Sequence, residues 1–281
     1  MALRLIPYYE PTSFKLGPLT FSIFGLLAAA GVYLGARLTA RAASKRGLDP
    51  KPLLDFAVWG VLSGVVFGHL VHLLLYHPEE LQSPLGIFKV WEGLSSFGGL
   101  LGGIVAAVVF FRHRGIRFHD YSDALALGVA PGWGVARLGC FAIHDHPGVV
   151  THFPLAVAFT VKTATGEIVV PRHDLGLYDA LWLFGIAAIL YVLAHRHALE
   201  GRLLGLLALL YAIGRFYFDT LRARPGDVPY ADARYFGLTP AQYACFLLVA
   251  YAVWQFWTKR AGSQASEAKP AGAEGRSRSA R

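Results

Sequence analysis

The sequence predicts an all-α integral membrane protein with seven transmembrane helices and a small extracytoplasmic cap, its amino terminus outside and its carboxyl terminus inside. Three observations predict it. Of the 281 residues, 55% are hydrophobic and 16% charged, with a mean hydropathy of +0.45, which is too apolar for one soluble domain with a wettable surface. Seven stretches approach the roughly 20 mostly apolar residues that a bilayer core requires. The basic residues gather in alternate loops, as expected of cytoplasmic ones.

The predicted spans lie near residues 20–38, 53–76, 97–111, 121–143, 177–195, 203–221 and 240–257. The third is short, and Gly98, Gly99, Gly102 and Gly103 within it favour close helix packing over a lipid-facing surface. Arg37, Arg41, Lys45, Arg46 and Lys51 separate spans one and two, Arg112, Arg114 and Arg117 separate three and four, and Arg196 and Arg202 separate five and six. The alternate loops offset their cations: Lys89 sits among Glu79, Glu80 and Glu92, and Lys162 and Arg172 face Glu167 and Asp174. The loop after span six departs from this, with Arg222, Arg224 and Arg234 against Asp227 and Asp232.

Residues 1–258 form the membrane domain, and residues 144–176 within it form the cap. The stretch 153–171 is rich in β-branched residues with a turn signal at Thr165-Gly166, predicting a hairpin. Residues 259–281, rich in Ser, Ala, Gly and Lys/Arg, read as a disordered basic cytoplasmic tail. The net charge of +8 and pI of about 9.6 are explained by that tail and the cytoplasmic loops. No aromatic-basic pattern points to nucleic acid. Cys140 and Cys245 both fall in predicted spans, so they form no secreted disulfide framework. Residues 1–16 carry Arg4, Pro7 and Glu10 and lack the apolar core of a cleavable signal. No internal repeat of fixed period stands out.

Charges inside the spans need a reason, since an arginine at mid-membrane costs about 2.5–3.5 kcal/mol on insertion scales. Arg137 lies in span four, Asp179 near the start of span five, and Arg215 and Asp219 in span six. The i, i+4 spacing of Arg215 and Asp219 allows an ion pair on one helix face. Arg222 adds another turn and leaves an excess of positive charge near the outer leaflet. An unpaired guanidinium there matches a phosphate, which it holds bidentately.

Histidines are the second anomaly. His69 and His72 are i and i+3 in span two, His144 and His146 flank Asp145, and His173 precedes Asp174. They read as hydrogen-bonded residues of a wet vestibule, as acid-base groups titrating near neutral pH, or as a metal site. The metal set would be His69, His72, His144 and His146, a spacing that matches no standard signature.

From Gly17 to Trp257 the chain resembles the prolipoprotein diacylglyceryl transferases. The matching pieces are Gly17-Pro18-Leu19-Thr20 leading to Phe24-Gly25, residues 64–76, residues 88–102, residues 136–148, Arg172-His173 with Leu177-Tyr178-Asp179, and residues 214–222 with Pro225 and Asp227. They occur in the family's order. Departures fall on functional positions: Phe97 stands where the family has histidine, Cys140 where it has asparagine, Phe24 for tyrosine and His69 for arginine. His144-Asp145-His146 replaces Asn-Gly-Glu, Asp174-Leu175-Gly176 replaces Pro-Ser-Gln, and Asp179 and Asp219 are shortened glutamates.

The resemblance implies a multi-pass enzyme of the bacterial cytoplasmic (inner) membrane. It would transfer a diacylglyceryl group from phosphatidylglycerol to the lipobox cysteine of a prolipoprotein signal peptide, forming a thioether without a cofactor. Arg137 and Arg215 would hold the leaving phosphate with Arg222 as an outer guide. Asp179 and Asp219 would orient the arginines, and Gly98, Gly99, Gly139, Gly148 and Tyr178 would belong to the substrate site. His173 is the retained family histidine, and His144 and His146 are new candidates for the base. The departures leave two rival readings: a His-rich relative with a metal-dependent lipid-modifying activity, and a noncatalytic phospholipid-binding protein.

Overall fold

A computed structural model describes residues 6–10, 13–16, 19–75, 93–163, 166–224, 226–228 and 234–267. Seven helices cover the predicted spans: α1 (Ile23–Lys45), α2 (Lys51–Leu75), α3 (Ser96–His113), α4 (Phe118–Ile143), α5 (Leu175–His195), α6 (Leu203–Thr220) and α7 (Pro240–Glu267). Five of them, α1, α2, α4, α5 and α6, are long and apolar enough to cross a membrane. The Gly98–His113 part of α3 is shorter, and Gln242 and Gln255 interrupt the apolar run of α7.

The first helix starts later than its hydropathy predicts. Residues 19–22 form a strand, and the Ser22 hydroxyl then accepts from Gly25 N at 3.0 Å, satisfying one of the open amides of a helix start. That strand, β3 (Leu19–Ser22), pairs antiparallel with β2 (Ser13–Leu16); Gly17 and Pro18 between them lie outside the described residues. The predicted hairpin is present as β5 (Val157–Thr163) and β6 (Gly166–Asp174), in register from Val157↔Arg172 to Thr163↔Gly166. Its predicted turn residue Thr165 also lies outside the described residues. Two strands that sequence reasoning missed complete a four-stranded sheet of order β1-β5-β6-β4. β1 (Ile6–Pro7) adds parallel to β5, and β4 (Pro147–Val150) adds antiparallel to β6.

Helix α4 is the central element. One face packs Tyr121, Ala124 and Leu125 against Ala43, Leu53, Phe110 and Phe111 from α1, α2 and α3. The other packs Ala126, Leu127 and Ala130 against Leu183, Ile186, Leu190, Leu207 and Tyr211 from α5 and α6. At the end of α4 farther from the sheet, buried Asp123 takes Gly201 N at 2.5 Å, Leu203 N at 3.0 Å and Arg46 Nη1 at 2.9 Å, which ties the α1–α2 and α5–α6 connections to α4. Outward faces expose Tyr33, Trp59, Leu181 and Trp254, as expected where lipid rather than water is the solvent.

The α1–α4 crossing depends on missing side chains, since a Cβ on Gly132 would stand 2.6 Å from the Gly31 carbonyl oxygen. Small residues at such crossings let backbones touch where no hydrophobic effect drives helices together. Gly132→Val is therefore expected to pry the two helices apart at a cost of about 1–3 kcal/mol, read as a lower unfolding temperature in detergent.

Candidate active site

The site begins where α4 stops. Helix α4 delivers Arg137 one and a half turns before its end, and His144 then takes a left-handed conformation (φ 50°, ψ 38°). That conformation is unusual for a residue with a Cβ. It reverses the chain, so that His146 folds back over the last turn and its Nε2 lies 3.2 Å from Arg137 Nη1.

Arg137 meets two other arginines. Asp179 Oδ2, from the first turn of α5, lies 3.4 Å from Arg137 Nε and 2.9 Å from Arg215 Nη1. Asp219 Oδ1, one turn further along α6, lies 2.9 Å from Arg215 Nη2 and 3.5 Å from Arg222 Nε. The predicted Arg215–Asp219 pair is thus formed, and the expectation of an unpaired guanidinium is corrected: each arginine shares a carboxylate. Among the described residues an excess of charge survives in another form, because three buried guanidinium groups share two fully buried carboxylates. Burial, with Arg215 beside it, pushes the Arg222 guanidinium down to about 10, as expected of a cation in a crowded positive pocket.

Residues missed in the sequence hold this network in place. The Thr239 hydroxyl donates to Asp219 Oδ2 and accepts from Gln242 N at 3.2 Å, while Gln242 Oε1 accepts from Thr239 N at 3.0 Å. This is a reciprocal capping box at the start of α7, and Thr239-Pro240-Ala241-Gln242 carries its signature in the sequence. Tyr211, its ring tilted against Trp133 at 4.5 Å, also stands next to Arg137; nothing in its sequence context marks it.

Gly148 closes the site from the sheet. It bridges to Arg222, its carbonyl accepts from Arg172 Nη1 at 3.1 Å, and a Cβ there would lie 2.6 Å from His173 Cβ and 2.7 Å from the Leu221 carbonyl oxygen. A side chain at this position would part β4 from the end of α6.

The histidines divide. His146 faces Arg137, with Asp145 Oδ1 2.7 Å from its Nδ1. His144 points the other way, its Nδ1 2.6 Å from Asp174 Oδ2 and its ring stacked on Tyr8 at 4.7 Å. Asp174 also caps α5 through Leu177 N, and its burial raises its carboxyl above the usual range, against the pull of His144. His173 Nδ1 lies 2.8 Å from the Tyr178 hydroxyl. Both line an apolar groove of about 420 Å³ with Phe153, Trp182, Tyr217 and Phe218. Burial lowers the His173 pKa.

His69 and His72 remain on α2, where His69 Nδ1 donates to the Gly93 carbonyl at 3.0 Å. The proposed metal set of His69, His72, His144 and His146 therefore does not assemble. Among the described residues a different trio brings donor atoms within 4.8 Å of one another: Cys140, Asp145 and His146. Arg137 Nη1 stands 3.5 Å from Cys140 Sγ and 3.2 Å from His146 Nε2. A guanidinium thus occupies the ground that a metal cation would need, and the trio is a poor metal site on electrostatic grounds.

Three of the glycines named as substrate-binding lie at helix crossings. Gly98 and Gly99 pack α3 onto Gly68 and Gly64 of α2, and Gly139 sits against Phe24 of α1. Tyr76, residues 88–92, Pro225 and Asp232 lie outside the described residues, as does the side chain of Phe97.

The chain matches the family described as Prolipoprotein diacylglyceryl transferase over residues 11–258. It is similar to the phosphatidylglycerol--prolipoprotein diacylglyceryl transferase of Chromohalobacter salexigens, with 34% identity over 219 residues covering 77% of this chain and 80% of the relative. The enzyme of that name from Paenarthrobacter aurescens is 32% identical over 78% of this chain and 74% of its own length. One from Staphylococcus xylosus is 27% identical over 76% and 79%. With the helices, the arginine network and Gly148 all falling inside the matched span, the chain belongs to the prolipoprotein diacylglyceryl transferase family.

Proposed function

We propose that this protein transfers the diacylglyceryl group of phosphatidylglycerol to the lipobox cysteine thiol of prolipoproteins, forming a thioether and releasing glycerol phosphate. The single observation that carries the reading is the network in which Arg137, Arg215 and Arg222 share the carboxylates of Asp179 and Asp219 among the described residues. Its net positive charge is buried at the ends of α4 and α6, where a phosphate is the natural counterion.

In the reaction the acceptor sulfur forms a bond to the glycerol methylene that carries the phosphate ester. The C–O bond breaks, and its electron pair leaves with glycerol phosphate. Arg137 and Arg215 neutralise the charge gathering on the departing phosphate. Fixed donors in a water-poor site act more strongly than they do in water, and they need no reorganisation at the moment of reaction. Asp179 and Asp219 hold the guanidinium planes without cancelling them. The nucleophile belongs to the acceptor protein, so neither Cys140 nor Cys245 is required for it, and no metal is assigned a step. The groove lined by His173, Tyr178 and Leu221, the last two of which precede Asp179 and Arg222 in the chain, suits the apolar part of a substrate.

The same reading gives seven crossings of the bacterial inner membrane with the amino terminus outside, supported by the basic loops at residues 37–51, 112–117 and 196–202. The lipid and the signal peptide would reach the site at the outer leaflet, beside the cap.

A two-substrate assay tests the proposal. Detergent-solubilised protein is mixed with phosphatidylglycerol labelled in the glycerol of its diacylglyceryl part and a lipobox peptide. The expected result is label on the peptide in a hydroxylamine-stable linkage, with one glycerol phosphate released per peptide modified. Bound lipid without transfer would sink the proposal in favour of a noncatalytic protein. Transfer that follows added metal and stops with a chelator would favour the metal-dependent alternative.

A further inference from the structure

We infer that His146, with the Asp145 carboxylate beside it, is the base that takes the proton of the acceptor thiol; the inference rests on the transferase reading above. A thiol attacks as its thiolate, so a base must stand among the groups that hold the reacting atoms. Three histidines border the site, and geometry separates them. His144 Nδ1 is engaged by Asp174, and its ring is wedged among Tyr8, Phe141 and Phe159. His173 Nδ1 is engaged by the Tyr178 hydroxyl, and its ring lines the apolar groove. His146 stands against the arginine assigned to the phosphate.

The arrangement around His146 also fixes which nitrogen does the work. Arg137 can only donate, so Nε2, 3.2 Å from its Nη1, carries the lone pair. The proton therefore sits on Nδ1, facing Asp145 Oδ1 at 2.7 Å. The carboxylate makes no aligned hydrogen bond to that nitrogen, and its part is electrostatic: at 2.7 Å it stabilises the imidazolium once it forms. Arg137 ties the lone pair to the phosphate: a lipid phosphate competing for Nη1 draws the guanidinium away, and Nε2 is freed where the acceptor sulfur must arrive. The thiol proton passes to Nε2, the sulfur forms its bond to the glycerol methylene, and the phosphate leaves with the electron pair of the broken C–O bond. The proton then moves from His146 to the released glycerol phosphate.

The charged and titratable groups facing His146 are Asp145, Arg137 and Cys140 from the end of α4, Arg222 beyond α6 and Asp174 at the start of α5. Burial is the largest influence and lowers its pKa below 6.5. Arg222 and Arg137 push the same way, and Asp145 opposes them. His146 is thus neutral at neutral pH, in the form that accepts a proton.

The test is the pH dependence of kcat and KM in the two-substrate assay for the wild type, His146→Gln, Asp145→Asn, His144→Gln and His173→Gln. For the wild type, kcat should rise with pH through a value below 6.5 as the imidazole loses its proton. His146→Gln should lower kcat about 100-fold, leave KM for phosphatidylglycerol within about three-fold and abolish the acid limb. Asp145→Asn removes the charge that supports the imidazolium. It should lower kcat about ten-fold and move the acid limb to lower pH, a shift that a merely structural role would not produce. The acid limb should persist in His144→Gln and His173→Gln. A His146→Gln protein that keeps both its rate and its acid limb overturns the assignment, as does an acid limb lost in either of the other histidine variants. If His146→Gln does not accumulate, an unmoved acid limb in Asp145→Asn overturns it instead. A wild type without transfer activity overturns the transferase reading and this inference with it, whereas an active wild type with an unaffected His146→Gln overturns this inference alone.

Discussion

Arg137→Ala is expected to lower kcat in the two-substrate assay by about 10²–10³, the effect of removing one fixed donor from a developing oxyanion, while the protein still inserts and accumulates. The asymmetry of the network makes both halves of that expectation specific. Asp179 keeps its 2.9 Å contact with Arg215 when Arg137 is gone, so no buried carboxylate is abandoned. The leaving phosphate loses a ligand, and His146 loses the group that couples it to that phosphate. Arg137→Lys should recover only part of the rate, since an ammonium supplies the charge without the planar fork. Full complementation of a transferase-depleted strain by Arg137→Ala would sink the assignment.

The second large effect comes from the opposite side of the same pair. Asp179→Ala is expected to destabilise the protein by about 3–5 kcal/mol, the cost of stripping a buried charge of its partner. Here two arginines lose it together, and Arg137 and Arg215 are left facing each other across the space of one side chain. The measurement is accumulation in the membrane fraction and thermal unfolding in detergent, compared with Arg137→Ala. The reverse ranking, with Asp179→Ala the more stable, would show that the carboxylate is not what holds the arginines. Asp179→Glu keeps the charge and adds one methylene, so it should unfold between the two.

The helices were legible because hydropathy and loop charge are local properties of the chain. The sheet was only half legible. β5 and β6 announce themselves by β-branched residues around a turn, whereas β1 is two residues long and pairs with a strand far away in sequence. The arginines and aspartates were legible because a charge in an apolar run is conspicuous, and the i, i+4 spacing of Arg215 and Asp219 told where one pair would form. Their sharing was not: that Asp179 serves both Arg137 and Arg215 depends on how α4, α5 and α6 converge. The His-Asp-His cluster reads as one unit in sequence. A single left-handed residue, His144, splits it into one histidine for the cap and one for the arginines, and nothing but its backbone angles carries that information. The capping box at Thr239 and Gln242 was open to sequence reasoning and names the support of Asp219.

The small sheet also acts as a parity check on the membrane. β1 and β5 share hydrogen bonds, so residues 6–7 and 157–158 must stand on one side of the bilayer, and the chain between them must cross an even number of times. Helices α1, α2 and α4 are long and apolar enough for three of these crossings. In the proposed topology the short glycine-rich α3 makes the fourth. The Gly148–Arg222 bridge imposes the same rule on α5 and α6, and the Arg46–Asp123–Gly201 junction imposes it at the opposite face. These contacts thus weigh in favour of an even pairing of the proposed crossings from α1 to α6, a rule that does not reach α7.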